Sequence, residues 1–438
     1  MSTILQHPRH LCALGGQQSV VAIPRAIPIL HAGPGCGFKL HTGLGSYNGF
    51  QGGCYSGGAA LVGTNVGEKE IVFGGEQRLR EVIDGALKVM DGDLYVVLSG
   101  CATDLVGDDI ENVVTQYRRQ GAPIVYAATG GFRGTNLHGH ETIVNAIVDQ
   151  LLTPQEKISG LVNVWSTVPY YDPFWAGNLT AIQDLLAGLG LRTNLLFGPD
   201  SDGIDSWRRV PAAELNLVVS SWTGLSTAKL LNERYGTPWL HWPTLPIGGE
   251  ETSRFLRAVT EAAHVDGQAT QAFLDRQERR YHYYFERAAD FFLEFRWDLP
   301  SHYVTVTDAF YGTGISRLLS GEFGLLPLRH FVTDQPPLEQ HEAIQCQFAA
   351  LSSELNAPLT FTADGDQIAA ELREHPDSAP LILGSAWERD IAAELSACHL
   401  SIASPMMDRL VASGSYFGYN GALRLIEDIY SMILSAVQ

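Results

Sequence analysis

Three cysteines in the first quarter of the chain are the residues best suited to chemistry. Cys36 follows an apolar run and lies between Gly35 and Gly37, Cys101 directly follows a second apolar run, and Cys12 precedes both. A thiolate in a glycine-rich turn can approach a bulky inorganic ligand without steric hindrance. Three converging thiolates suit a soft metal or an iron–sulfur cluster. From the residues alone, the alternative is three unrelated buried cysteines.

The elements around these cysteines alternate between strands and helices. The apolar pattern predicts strands at 27–30, 94–98 and 123–128 and helices at 76–89 and 109–119. This alternation implies a parallel sheet whose binding loops lie at the carboxyl ends of the strands. Because Cys36 and Cys101 each follow a predicted strand, we expect both at the same edge of that sheet.

The same alternation recurs twice along the chain. It predicts an α/β protein of three Rossmann-like parallel-sheet domains around a shared cleft. The predicted divisions are 1–155 for an N-terminal domain that carries the cysteines, 156–265 for a second domain, 266–300 for a helical connector and 301–438 for a third domain with a C-terminal helix. Within the third unit, residues 311–314 predict a glycine turn ahead of a helix at 315–320.

The composition limits the possible partners and compartments. The 438 residues carry a formal charge of −19, which makes nucleic acid and anionic membranes poor partners. No apolar run is long enough to span a bilayer, and residues 1–9 lack the apolar segment of a signal peptide. We therefore expect a cytoplasmic protein whose six cysteines form no disulfide framework.

Several other residues have simpler interpretations. Cys346 and Cys398 are on apolar helical patterns, so we expect both in the core. Asp108 and Asp109 stand near the first turn of the predicted helix at 109–119, where acidic residues complement the helix dipole, and we expect both to have this capping role. Cys54 lies in a glycine-rich stretch and has no assignable role.

Three motifs give a specific resemblance. HxGPxCG at 31–37, GEKEIVFGG at 67–75 and SGCxxDLVGDDI at 99–110 resemble the nitrogenase component 1 family. Further similar segments extend the resemblance over essentially the whole chain, and the C-terminal ones resemble the β-type subunits; they lie at 8–12, 235–239, 246–248, 405–409 and 417–422.

The resemblance implies a cofactor and its ligands. Cys12, Cys36 and Cys101 correspond to the cysteines that hold half of an interfacial P-cluster-type iron–sulfur cluster, with eight or four irons, shared with an α-type subunit. Some β-type subunits add a serine ligand to the oxidised cluster. Glycine takes its place in the stretch 128–132, where Thr129 is a weak substitute.

The resemblance also places the catalytic cofactor in another chain. The α-type subunits hold it with a cysteine and a late histidine, whereas Ser220 stands at the cysteine position and residues 403–408 contain no histidine. A serine hydroxyl is a poor ligand for low-valent iron. We therefore expect no catalytic residue here and an electron-relaying role in an α2β2 heterotetramer.

The remaining expectations concern partners and substrate. Phe73 matches the aromatic residue with which the family meets its ATP-dependent reductase iron protein, and the absence of a Walker A motif leaves ATP hydrolysis to that partner. A mixture of α-type and β-type features implies a nitrogenase-like enzyme such as a methylthio-alkane reductase. The alternatives are a dinitrogen-reducing nitrogenase β subunit, a cofactor-assembly scaffold, and a binding module with a degenerate site.

Overall fold

The first of three successive parallel sheets contains the cysteine-rich segment. The computed structural model describes residues 7–51, 61–351, 357–374 and 379–437, so Cys54 lies outside the described residues. The strands are β1 (Ala26–His31), β2 (Val62–Gly63), β3 (Leu94–Ser99) and β4 (Ile124–Ala127), in the order β2-β1-β3-β4. The helices are α1 (Gln17–Val21), α2 (Pro34–Ser46), α3 (Glu68–Phe73), α4 (Glu76–Val89), α5 (Cys101–Val106), α6 (Ile110–Arg119) and α7 (Asn136–Leu151).

The second sheet has the same number of strands. They are β5 (Leu161–Trp165), β6 (Arg192–Asn194), β7 (Leu215–Val219) and β8 (Trp239–Trp242), in the order β6-β5-β7-β8. Its helices are α8 (Trp175–Gly188), α9 (Ile204–Arg208), α10 (Leu225–Tyr235) and α11 (Gly249–Ala262), and two connecting helices follow, α12 (Gly267–Arg287) and α13 (Ala289–Glu294).

The third sheet is larger and completes the fold. Its strands are β9 (His302–Thr307), β10 (Leu326–Val332), β11 (Leu359–Phe361), β12 (Leu381–Gly384) and β13 (Cys398–Ser401), in the order β11-β10-β9-β12-β13. Its helices are α14 (Ala309–Gly321), α15 (Leu338–Ala349), α16 (Gly365–Leu372), α17 (Arg389–Glu394) and α18 (Gly418–Val437). Three parallel sheets with intervening helices confirm the predicted fold class, and the divisions at residues 155, 265 and 300 stay predictions.

Burial explains why these segments form these elements. Every residue of β3 is buried, as expected for a parallel strand covered by helices on both faces. In α4 the buried residues Leu79, Ile83 and Ala86 recur at helical spacing, so one stripe packs inward. The largest core joins all three sheets, with members such as Val96 and Leu217. None of the described helices is both long and apolar enough to cross a membrane.

One predicted turn is wrong. Residues 311–314 lie inside α14, which begins after Asp308, whose side chain accepts a hydrogen bond from the Tyr311 N–H. The glycines of this segment serve close packing: a Cβ on Gly314 would lie 2.5 Å from both the Cβ and the carbonyl oxygen of Leu245. Such contacts exclude any larger residue, and they do not require a turn.

Two predictions of core cysteines also need correction. Cys346 is exposed on α15, because Ile344 and Phe348 point that helix's apolar stripe to the core and the residue between them faces outward. Cys398 begins strand β13 rather than lying on a helix, and it is half-buried at the edge of the third sheet. Burial raises the pKa of its thiol.

Candidate metal centre

The three cysteines lie at the carboxyl edge of the first sheet. The last residues of β1 and β3, His31 and Ser99, pair with each other, so the segments that follow them leave the sheet side by side. Cys36 is the third residue of α2, and Cys101 is the first residue of α5. The predicted turn around Cys36 is therefore the first turn of a helix, with Pro34 at its first position, where a missing N–H costs nothing.

Cys12 joins this edge from the N-terminal side. It precedes a short 3-10 helix, Ala13–Gly16, and pairs with Thr135 in an isolated antiparallel bridge. Gly131 follows β4, and two of the thiols lie next to it. A Cβ on this residue would lie 2.9 Å from Cys101 Sγ and 3.4 Å from Cys12 Sγ, and the Gly131 N–H donates to Cys101 Sγ at 3.0 Å. Both sulfurs are thus within contact distance of one point.

Cys36 lies near the same two thiols. Burial raises the pKa of its thiol, and negative charge on Cys12 and Cys101 raises it further. A positively charged metal group would reverse that repulsion and hold the thiols as thiolates. In the part of the chain that the structure describes, no three His, Cys, Asp or Glu side chains are grouped to hold one metal ion. Cysteine thiolates are the usual ligands of iron–sulfur groups.

The cysteine site is open to one side. Cys101 is exposed, and three large apolar side chains nearby in sequence are exposed as well, with Phe38 and Leu105 each 76% and Phe132 58% accessible. Apolar and aromatic residues in this position are typical of a surface that another protein covers.

Glycine at position 131 leads to a first prediction. We expect Gly131→Ala to lower the iron content of the assembled protein by about half or more, because the new Cβ would collide with Cys101 Sγ and lie 3.2 Å from Cys12 Cβ. Iron analysis after anaerobic purification measures this. Gly85→Ala is the control, since a Cβ there meets nothing within 4 Å and should leave the iron unchanged. Full iron content in the Gly131 variant would contradict the packing argument.

A buried pair that the sequence analysis missed lies behind the cysteines. His31 Nε2 lies 2.9 Å from Asp108 Oδ2, and the other oxygen of Asp108 accepts the Gly75 N–H at 2.8 Å. The predicted capping role of Asp108 is therefore wrong, whereas Asp109 accepts from the Asn112 N–H and caps α6 as predicted. The two acidic residues look alike in sequence, and only the position of His31 at the end of β1 distinguishes them.

Thr129 is not available as an additional ligand. It is fully buried, its hydroxyl donates to the Ser99 carbonyl at 2.9 Å, and its N–H donates to Ser99 Oγ at 3.0 Å. Both groups therefore tie the end of β4 to β3. The structure does not bring this hydroxyl to the cysteines.

Ser220 lines a small cavity between the second and third sheets. Its hydroxyl donates to the Thr223 carbonyl, and the cavity, about 30 Å³, also contacts the carboxyl groups of Asp172, Asp308 and Asp334. Burial raises the pKa of Asp172 and of Asp334 to about 7. The described lining combines these carboxyl groups with apolar side chains and includes no cysteine or histidine, the side chains best suited to low-valent iron.

Phe73 lies on an exposed surface beside the Cys101 helix, and this surface shares Leu105 with the open side of the cysteine site. It ends α3 and is 82% accessible, and its neighbours Ile71 and Val72 are exposed too. Helices α3 and α5 contact each other, so this surface continues towards Leu105 and Val106, which are also exposed. We call these five residues the apolar face.

The chain is similar to known proteins over most of its length. The family model of nitrogenase component 1 type oxidoreductases matches residues 12–434. A nitrogenase molybdenum-iron protein beta chain from Methanococcus maripaludis is 24% identical over 96% of this chain and 92% of its own. The beta chain from Clostridium pasteurianum is 21% identical over 99% and 94%.

Alpha chains match over a shorter stretch. The nitrogenase molybdenum-iron protein alpha chain from Methanosarcina barkeri is 27% identical over 57% of this chain and 47% of its own. The chain therefore spans about half the length of such alpha chains. A solved structure of nitrogenase Cp1 at pH 6.5 superposes with a TM-score of 0.82 at 18% identity, over 100% of this chain and 95% of that one, which establishes the shared fold. The chain belongs to the nitrogenase component 1 type oxidoreductases, and it is of the β type, whose members it matches over nearly their whole length.

Proposed function

We propose that this chain is the electron-relaying subunit of a nitrogenase-like reductase. The observation that carries the proposal is that Cys12 and Cys101 both lie against Gly131, while Cys36 follows the strand next to that of Cys101 and is close enough for their charge to raise the pKa of its thiol. These thiolates would hold half of a P-cluster-type iron–sulfur cluster, and an α-type partner would cover the other half. Such a cluster accepts and releases single electrons. The chain's own contribution is to hold three donors at the interface and to shield them from behind.

The catalytic cofactor is assigned to the partner in this proposal. The cavity beside Ser220 supports that assignment, because none of its described lining residues is a cysteine or histidine and its serine hydroxyl is bonded to the backbone. We propose an α2β2 assembly located in the cytoplasm, served by an ATP-dependent iron protein. Thiolate ligation of iron suits a reducing compartment of this kind.

For the substrate we propose small methyl thioethers. Reductive cleavage would consume two electrons and two protons per carbon–sulfur bond and release methanethiol and a hydrocarbon. The mixture of features supports a divergent enzyme: beta chains match the whole chain, while alpha chains match only part of it at slightly higher identity. Gas chromatography of the assembled system with thioether or with dinitrogen distinguishes this proposal from a dinitrogen-reducing enzyme.

One experiment tests the electron-relay proposal directly. The chain is co-expressed with an α-type partner, purified without oxygen, and analysed for iron, sulfide and electron transfer from the iron protein with ATP and reductant. We expect a cluster that is reduced and reoxidised during turnover. Iron near zero would overturn the proposal, and iron without any turnover would favour an assembly scaffold.

A second prediction concerns Phe73. We expect Phe73→Ala to weaken binding of the iron protein by about 2 kcal/mol, roughly thirty-fold, because an exposed aromatic at the centre of an apolar face is typical of an energetic hot spot. Titration of the iron protein onto the assembled heteromer measures the affinity. Leu338→Ala is the matched control, since Leu338 is also 82% accessible but lies on α15. Equal affinities for both variants would contradict docking at Phe73.

A further inference from the structure

The His31–Asp108 pair connects segments that are far apart in sequence. His31 is fully buried at the end of β1. Its Nε2 meets Asp108 at 2.9 Å, and its Nδ1 lies 3.1 Å from the hydroxyl of Thr64. Asp108 in turn accepts the N–H of Gly75. The two side chains together thus link the strand before Cys36 to the loop after α5 and to the segments on both sides of α3.

The backbone of His31 adds a connection to the helix that carries Cys101. Its carbonyl accepts the Gly100 N–H at 2.9 Å and the Thr103 hydroxyl at 2.7 Å. Both donors belong to the start of α5, where the Thr103 hydroxyl also accepts from the Gly100 N–H at 3.2 Å. Any displacement of His31 therefore displaces the first turn of α5 as well as the segment that leads to Cys36.

The turn after Phe73 packs against the same pair without free space. Gly74 has a φ of +89°, which favours glycine. A Cβ on Gly75 would lie 2.7 Å from Asp108 Oδ2 and 2.8 Å from His31 Cε1. Because no empty space separates Gly75 from His31 and Asp108, a movement of α3 also moves this pair. The apolar face and the cysteine helices share one buried support.

We propose that His31 and Asp108 are positioning residues that transmit docking on the apolar face to the helices that carry Cys36 and Cys101. This inference rests on the proposed docking role of Phe73. It goes further, because it names the hydrogen bonds through which an occupied docking surface changes the cysteine site. Neither residue contacts the thiols in this role, and both act through the elements that they join.

Two variants at one position separate the hydrogen bonds from the charge. Asp108→Ala removes both bonds. Asp108→Asn retains both, because an amide oxygen accepts the Gly75 N–H while its NH₂ donates to His31 Nε2. This requires the neutral imidazole to carry its proton on Nδ1, towards the Thr64 oxygen. Burial lowers the pKa of His31 and so favours the neutral ring. Asp109→Ala removes the neighbouring helix cap and serves as the structural control.

Hydrogen–deuterium exchange of the assembled heteromer, with and without the iron protein and a nonhydrolysable ATP analogue, tests the proposal. In the unsubstituted protein we expect docking to slow exchange in residues 68–75 and also in residues 33–39 and 100–106. In Asp108→Ala the first segment should remain protected, while the docking-dependent slowing in the other two falls at least about three-fold. Asp108→Asn and Asp109→Ala should behave as the unsubstituted protein does.

The possible outcomes separate the two proposals. Unchanged slowing at 33–39 and 100–106 in Asp108→Ala overturns the positioning role while leaving docking intact. The positioning role is also overturned if Asp108→Asn loses the slowing at 33–39 and 100–106, because the effect would then depend on charge and not on the hydrogen bonds. Absence of protection at 68–75 in the unsubstituted protein overturns the docking proposal and this inference together. Iron content measured on each variant excludes loss of the cluster as the cause.

Discussion

Replacing Cys36 or Cys101 by alanine is expected to remove most of the iron from the assembled protein, at least about ten-fold, because each loss breaks a donor set of only three thiolates. The two cysteines follow neighbouring strands of one sheet, and each is placed by the start of a helix. The Thr129 hydroxyl cannot replace them, since it is bonded to the Ser99 carbonyl. Iron and sulfide analysis with electron paramagnetic resonance measures the loss.

Another cysteine of this chain provides the control. Cys346 is exposed on α15, so Cys346→Ala removes a thiol without touching the first sheet and should retain all of the iron. Serine at position 36 tests the donor chemistry, because oxygen is a poorer ligand than thiolate for low-valent iron. If the alanine variants retain full iron, the three thiols are structural and the electron-relay proposal fails.

The sequence predicted the parts of the fold that depend on local pattern. The helix at 76–89 is confirmed residue for residue, because its apolar spacing and its packing agree. The predicted strand at 123–128 is shorter, Ile124–Ala127, since Pro123 has no N–H with which to pair with a neighbouring strand. The edge strand Val62–Gly63 has no periodic pattern of its own and becomes a strand only by pairing with β1.

For the candidate site, the sequence predicts the ligands but not the residues that support them. Glycine beside Cys36 and Cys101 and the family resemblance point to the three cysteines, and their role as ligands stays a prediction. Asp108 and its partner His31 are 77 positions apart, and their bond depends on which strand ends meet. Gly131 has no chemical group to attract attention in a sequence. Its role follows only from the two sulfurs that face it. Long-range contacts of this kind come from topology, which local pattern does not specify.

Neutralising Glu388 is expected to give the largest loss of stability, because it would leave the buried charge of Arg9 without a partner. Arg9 Nη2 pairs with Glu388 Oε1, and Arg9 Nη1 lies 3.2 Å from Glu388 Oε2 and 2.9 Å from Ser385 Oγ. Both side chains are almost fully buried. Breaking such a pair costs about 3–5 kcal/mol. Glu388→Gln makes the change with little loss of volume.

The Arg9–Glu388 pair lies close to Cys12 in sequence, so the loss of this pair should also affect the cysteine site. Arg9 lies three residues before Cys12 in a segment that also contacts the third sheet through Trp387, whose Nε1 donates to the Pro8 carbonyl at 3.3 Å. The pair therefore holds the Cys12 segment between the first and third sheets. We expect Glu388→Gln to lower the iron content as well as the stability, although it alters no ligand.

The pH dependence of stability provides an independent test of the Arg9–Glu388 pair. Burial alone would raise the pKa of Glu388, but the Arg9 charge and the hydrogen bonds of Arg9 and Ser385 hold it below its ordinary value. A carboxyl with a depressed pKa in the folded state contributes stability above its unfolded pKa, about 4.3, and loses it as the pH falls through the lower folded value. Glu388→Gln should therefore flatten the acid limb of the stability curve.

Urea unfolding of the heteromer, followed by tryptophan fluorescence between pH 3 and 7, measures both effects. The matched control is Glu394→Gln, which breaks the half-exposed Arg373–Glu394 pair and should cost less than about 1 kcal/mol, because solvent screens such pairs. Adding Arg9→Met to Glu388→Gln removes the orphaned charge and should restore part of the loss, as a double-mutant cycle would record. The prediction fails if Glu388→Gln and Glu394→Gln lower the free energy of unfolding equally. It also fails if adding Arg9→Met to Glu388→Gln restores no stability. In either case the buried pair does not anchor the Cys12 segment.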